Sequence, residues 1–181
     1  MLINIRNAVE ADLEAIVWAY NSSIASRNST CDTSHISVAS RQSWLRTASE
    51  SRPIWVVEYQ VDLLKAVVGY LSFSNFMNDR PGYSISTDIG LYIHSDYHGK
   101  GLGKALLRKA LTFCPMVGIE TIVTTIFDSN EASKKLFLSL GFEKWGHMPK
   151  VARLDGIEKD LIMVGLRIIP IKNERYKHGE K

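Results

Sequence analysis

The segment His98-Gly99-Lys100-Gly101-Leu102-Gly103-Lys104 sets three glycines at alternate positions between a β-branched, aromatic run ending at Ile93 and an amphipathic run from Gly101 to Cys114. A chain with this pattern turns from a strand into a helix through backbone conformations that glycine adopts without strain. Such a turn lets the main chain approach an anion closely, and the first N–H groups of the helix, which have no intrahelical partner, point at it. Lys100, Lys104 and Arg108 add positive charge within the first two helical turns. Charge of that sign opposes the helix dipole unless a polyanion is bound, so a pyrophosphate suits the segment. On the local string alone, a glycine-rich turn that binds nothing stays open. Two nucleotide motifs lose ground. Gly103-Lys104 is followed by Ala105, with no glycine five residues earlier, and Lys104 occupies the third glycine's place in Gly-x-Gly-x-x-Gly.

The neighbours of this turn give the rest of the architecture. Leu2 to Arg6 alternates apolar and polar side chains as a half-buried strand does, and Glu10 to Tyr20 has a helical period through Leu13, Ile16 and Val17. Asn21 to His35 is polar and aperiodic, which predicts a loop, and a helix carrying Trp44 and Leu45 is expected over 38–49. Runs at 53–58, 65–74 and 84–93 predict an antiparallel meander. The helix of residues 101–114 then leads to a strand at 121–127, a strand-helix-strand unit whose strands should be parallel. Asn130 suits a helix N-cap, Gly141 a C-cap, and 142–146 and 160–168 read as two last strands.

At 181 residues and 45% hydrophobic, one domain with a substantial core is expected. Its bounds are drawn at 1–170, followed by a charged, flexible tail at 171–181. The formal net charge is +3, and the tail alone holds four Lys or Arg against two Glu. A nucleic-acid binder carries its basic excess as a patch on the folded domain, so no nucleic-acid partner is expected. No leader-like start or spanning apolar run is visible, which predicts a cytoplasmic protein without a membrane partner. Cys31 and Cys114 are far apart and form no Cys-x-x-Cys pair, so inert or buried thiols are expected. His94 and His98 have no third ligand nearby, and no metal site is assigned.

Leu91-Tyr92-Ile93, the loop from His98 to Lys104 and the following helix resemble the acetyl-CoA-binding motif of the GNAT superfamily of N-acetyltransferases. Asn130-Glu131-Ala132-Ser133 with Leu136-Phe137 and Gly141-Phe142 resembles its next helix and strand. Further segments look like those of the phosphinothricin and methionine sulfoximine acetyltransferase branch: Tyr20 to Ile24, Arg41-Gln42-Ser43-Trp44, Arg80-Pro81-Gly82-Tyr83 and Gly156 to Leu161. The resemblance implies an α/β (α+β) fold. Its sheet is mixed, mostly antiparallel with one parallel, splayed pair, and about four helices flank it. Acetyl-CoA is the implied cosubstrate, a small amino acid or analogue the implied acceptor, and a homodimer the implied assembly.

The resemblance also carries residue roles. Leu91, Tyr92 and Ile93 would meet the pantetheine arm; His98, Gly99, Lys100, Gly101, Leu102, Gly103 and Lys104 the pyrophosphate; Asn130 and Ser133 the cofactor near its pantetheine. Asp88 stands where the branch has Glu and is the candidate base that takes the proton from the incoming ammonium. Its ordinary pKa near 3.9 suits that task only if burial raises it. Arg80 and Tyr83 match the branch's substrate loop, Tyr20 and Asn21 would close over the acceptor's side-chain end, and Lys159 stands where some members have His. Phe137 replaces a proton-donating Tyr or His, so no general acid is assigned. Protein N-terminal or side-chain acetylation and a non-catalytic acyl-CoA-binding module are the competing readings.

Overall fold

The computed structural model describes residues 2–61, 64–78 and 80–168; the expected tail at 171–181 lies outside them. Seven strands form one sheet in the order β1-β2-β3-β4-β5-β7-β6. They are β1 (Leu2–Asn7), β2 (Ile54–Val61), β3 (Leu64–Asn75), β4 (Ser86–Ile93), β5 (Thr121–Phe127), β6 (Glu143–Leu154) and β7 (Ile157–Arg167). Every neighbouring pair is antiparallel except β4 and β5, which run parallel across the α3 crossover. The helices are α1 (Leu13–Ile24), α2 (Ala39–Leu45), α3 (Leu102–Phe113) and α4 (Glu131–Leu138).

Alternation along the strands divides the sheet between two cores. Leu71, Phe73 and Ile89 face α3, where they pack with the helical stripe Leu102, Leu106 and Ala110 and with Phe137 and Phe142. Tyr70 and Val56 face the other way, onto Ile16, Tyr20 and Ile24 of α1, with Tyr92 and Trp44 packed against that cluster. An ionic tie fixes α1 to the sheet edge. The Arg6 guanidinium forks onto Asp12 at 2.6 and 2.8 Å and reaches Glu58 at 2.8 Å.

Several boundaries differ from those the sequence predicts. The helix α1 continues to Ile24, so Tyr20 and Asn21 stand on its last turns rather than in a loop. The expected helix over 38–49 stops at Leu45 and buries no residue fully, because beyond Trp44 and Leu45 its sequence offers no apolar stripe. The last two strands are longer than expected and form a hairpin around Asp155-Gly156, both at positive φ. Cys31 is exposed and Cys114 is buried, so burial describes only the second of the two free thiols.

Candidate active site

The strands β4 and β5 pair over three residues only, Ser86↔Thr121, Thr87↔Ile122 and Asp88↔Val123, and then part. The Thr124 hydroxyl donates to the Ile89 carbonyl at 2.8 Å and closes the apex of this wedge. On the other side of β4 the His94 N–H bonds Val68 O, so even-numbered residues address β3 and the odd-numbered Leu91 and Ile93 face the opening. His98 Nε2 lies 2.8 Å from the Ile93 carbonyl. The Leu91 N–H and C=O and the Ile93 N–H thus line an opening in which no described β5 residue pairs with them. Tyr92 has a different position from its two neighbours, with its main chain toward β3 and its ring on the α1 face.

At the wide end stands the glycine loop. Gly99 and Gly101 have φ of +74° and +78°, the left-handed region that other residues enter only with strain. Gly101 is the N-cap of α3 and offers no side-chain cap. The first helical bond runs from Ala105 N–H to Gly101 O, which leaves the N–H groups of Leu102, Gly103 and Lys104 without a helical partner. A Cβ on Gly103 would come 3.0 Å from Leu136 Cδ2 and 3.5 Å from Leu91 Cδ2, so its absence lets α3 seat against α4 and β4. Lys104 lines the cleft. Lys100 turns instead over the Tyr97 ring, 5.7 Å from its centroid. Asn130 and Ser133 also line the cleft, and Asn130 Oδ1 caps α4 by accepting the Ser133 N–H at 3.1 Å. Its amide donates to the Asn28 carbonyl at 2.8 Å and straps the early loop to the cleft. An open strand wedge leading to free helix N–H groups fits an extended thioester arm ending in a pyrophosphate.

The cleft, about 1020 Å³, continues from the wedge onto the α1 face. There Asp88, Gly90 and Tyr92 of β4 lie beside Ser74, Ser72 and Tyr70 of β3. Burial pushes the Asp88 carboxyl up to about 6, against a hydrogen bond from the Ile89 N–H that favours the ionised form. Beyond Gly90 the floor becomes aromatic: Tyr92 stacks on Tyr70 with centroids 5.4 Å apart and lies 4.7 Å from Tyr20, and Trp44 meets Tyr70 edge-on. Burial raises all three tyrosines and keeps them neutral. The Tyr20 hydroxyl is held by Thr30 and Asp32, each at 2.6 Å. The Arg41 guanidinium, a residue that carried no assignment from sequence, lies over the Tyr20 and Trp44 rings at 4.9 and 5.3 Å.

Other residues singled out by sequence stand elsewhere. Arg80 and Tyr83 sit on the exposed connection between β3 and β4, Tyr83 edge-on to Phe76, and neither lines the cleft. The Asn21 side chain is spent on the Ile36 main chain, donating to its carbonyl at 3.1 Å and accepting its N–H at 3.0 Å. Lys159 pairs with Ala152 across the β6–β7 hairpin and does not line the cleft. Phe137 does line the cleft, 5.0 Å edge-to-face from Phe142, with no proton to give. His94 stacks on Trp18 at 3.5 Å, so the two histidines of the loop do not converge on a common ligand. A separate trio, Asp128, His147 and Asp160, brings its polar atoms within 4.8 Å of one another. Its carboxylates already hold His147, the Lys150 N–H and the Lys134 ammonium. Distant sequence positions kept that trio out of view in the linear chain.

A strand wedge that exposes main-chain groups, a helix N-terminus at its mouth and a chamber with a raised carboxyl define a CoA-dependent acyltransferase. The chain belongs to the acetyltransferase (GNAT) family, whose model matches residues 14–142. It is 39% identical to the Bacillus subtilis (strain 168) protein YwnH, which carries a provisional phosphinothricin acetyltransferase name, over 90% of this chain and 98% of that one. It is 32% identical to a Pseudomonas aeruginosa (strain PAO1) L-methionine sulfoximine/L-methionine sulfone acetyltransferase, over 96% and 99%. A Sinorhizobium meliloti phosphinothricin acetyltransferase, solved in complex with acetyl-CoA, superposes with a TM-score of 0.83 at 28% identity, covering 92% of this chain and 89% of that one. The chain is an acetyl-CoA-dependent N-acetyltransferase with the mixed α/β sheet and four flanking helices of this family. Among the described residues, no helix is long and apolar enough to cross a membrane.

Proposed function

We propose that the acceptor is the α-amino group of a small amino acid or analogue of the phosphinothricin, methionine sulfoximine or methionine sulfone type, and that Asp88 removes its proton. The observation that carries this reading is the Asp88 carboxyl, lifted to about 6, at the last paired position before β4 and β5 part. A base with that value is mostly ionised at neutral pH and still accepts a proton from an ammonium held nearby, directly or through one water. Acetyl-CoA supplies the activated acyl carbon and leaves as its thiol. The Leu91 and Ile93 N–H groups face the same opening and are suited to polarising a thioester carbonyl without any particular side chain. Phe137 offers no proton, so the thiolate leaves unassisted or is protonated through water by the proton that the attacking nitrogen sheds as the tetrahedral intermediate collapses. The amide, backbone and glycine roles of Asn130, Gly99, Gly101 and Gly103 belong to the same proposal.

The test is release of CoA thiol by the purified protein with free phosphinothricin, methionine sulfoximine and methionine sulfone, beside a peptide with a free N-terminus. Release with the free acceptors supports the reading. Release with the peptide alone moves the activity to protein acetylation, and release with none leaves acyl-CoA binding without transfer. Homodimeric assembly, implied by the resemblance, and a cytoplasmic location, expected from the sequence pattern, are read by light scattering and by fractionation.

A further inference from the structure

The acceptor end of the cleft carries a cation, Arg41. Arg41 projects from α2, a short helix with no fully buried residue, and its guanidinium lies over the Tyr20 and Trp44 rings. Arg41, Tyr20, Trp44 and Tyr70 all line the cleft that holds Asp88. Among the described residues Arg41 makes no ion pair and no side-chain hydrogen bond. Asp32, the acid of this group, receives the Tyr20 hydroxyl. Aromatic faces hold a guanidinium by its plane and leave its edge N–H donors free, and that edge is the fork that matches an oxyanion bidentately.

The floor between this cation and the base is kept open. Asp88 and Tyr92 are four residues apart on one face of β4, about 13 Å along the strand. Between them lies Gly90, opposite Ser72, where even a methyl group would come 3.1 Å from the Ser72 hydroxyl and 3.6 Å from the Tyr92 ring. A small acceptor therefore has room to span the chamber, its amine toward Asp88 and an anionic group toward Arg41.

We propose that Arg41, held over the Tyr20 and Trp44 rings, is the oxyanion-recognising specificity residue of the acceptor chamber. This rests on the reading of the acceptor as a small amino acid, and it names the group that selects among such acceptors. The oxyanion has two sources, the α-carboxylate shared by all amino acids or a second anion such as a phosphinate on the side chain.

Three probes separate the sources: phosphinothricin, which has both anions; methionine sulfone, which has the α-carboxylate alone; and methionine sulfone amide, which has neither. With Arg41→Gln, KM for the anion-bearing acceptors is expected to rise on the order of 10- to 100-fold while kcat changes little. KM for acetyl-CoA and for the amide should stay within about 2-fold, as for a change outside their contacts. Arg41→Lys should recover part of the loss, because it restores the charge without the fork. A rise for both acids assigns the α-carboxylate; a rise for phosphinothricin alone assigns the side-chain anion. Equal losses for all three probes, or no change for any, would overturn the proposal. Thermal stabilisation by the same probes in the presence of CoA reads the subsite without turnover. If the wild type releases no thiol, the acceptor reading fails. The subsite still stands if the acids stabilise the wild type more than Arg41→Gln and the amide does not, and falls if the variant responds alike.

Discussion

Replacing Asp88 by Asn separates catalysis from stability in a way that only a desolvated base would. The carboxyl is raised from 3.8 to about 6 chiefly by burial, so the folded state holds the proton more tightly than the unfolded chain. The charged form therefore destabilises the fold, by nothing below pH 4 and by up to about 3 kcal/mol above pH 6. Asn keeps the shape and can still accept the Ile89 N–H bond, but carries no charge. Asp88→Asn should consequently raise the melting temperature at pH 7.5 by several degrees, with roughly 10 °C as the upper bound for a chain of this size. The gain should shrink as pH falls from 6 to 4. In the same variant kcat should fall by about 10²- to 10⁴-fold, the usual worth of a positioned base. In the wild type the ionised fraction of a group at pKa 6 drops from roughly 0.9 at pH 7 to roughly 0.1 at pH 5, so kcat/KM should carry an acid limb near 6. That limb should be missing from Asp88→Asn, leaving only the ionisation of the acceptor amine. Melting curves and pH–rate profiles on both proteins are sufficient. An unchanged limb near 6, or a variant that melts lower at pH 7.5 and keeps its turnover, would refute both the role and the environment assigned to Asp88.

The wedge itself is open to two substitutions. Gly69→Ala puts a Cβ 2.6 Å from the Tyr92 carbonyl oxygen and 2.5 Å from Ile93 Cδ1, and because main chain cannot step aside cheaply it should cost about 1–3 kcal/mol in denaturant unfolding and raise KM for acetyl-CoA. Thr124→Val removes the hydroxyl that meets the buried Ile89 carbonyl, and a loss of about 1–3 kcal/mol together with weaker acetyl-CoA binding is expected by the same measurements.

How much of this was legible in the linear chain follows from the range of each interaction. The glycine loop, the α3 stripe and the parallel β4–β5 pair are written in local periodicity and turn chemistry, and the structure has them where the sequence predicts. The β6–β7 hairpin was equally local, since Asp155-Gly156 is a strong two-residue turn signal, but Pro149 and the bulge between Met148 and Ala152 hid the continuous strand. Side-chain destinations were not local. Arg80 and Tyr83 lie in a matching motif, yet neither lines the cleft, and Asn21 spends its amide on Ile36. Arg41 lies in a matching segment, but its role depends on Tyr20, Trp44 and Tyr70, which only the packing of α1 and α2 on the sheet brings together. The raised Asp88 carboxyl likewise depends on burial that strand alternation alone does not specify.

The glycine loop remains the feature on which the cofactor assignment stands, and calorimetric titration of acetyl-CoA into wild type and Gly101→Glu tests it most directly. Gly101 is exposed, and a Cβ there meets nothing within 4 Å, but φ is +78° and the new carboxylate would face the pyrophosphate beside the free N–H groups of α3. Saturable binding to the wild type and at least a tenfold weaker affinity in the variant, about 1.4 kcal/mol, is the predicted result, with circular dichroism unchanged. Equal affinity in the two proteins would contradict the placement of the pyrophosphate at this loop.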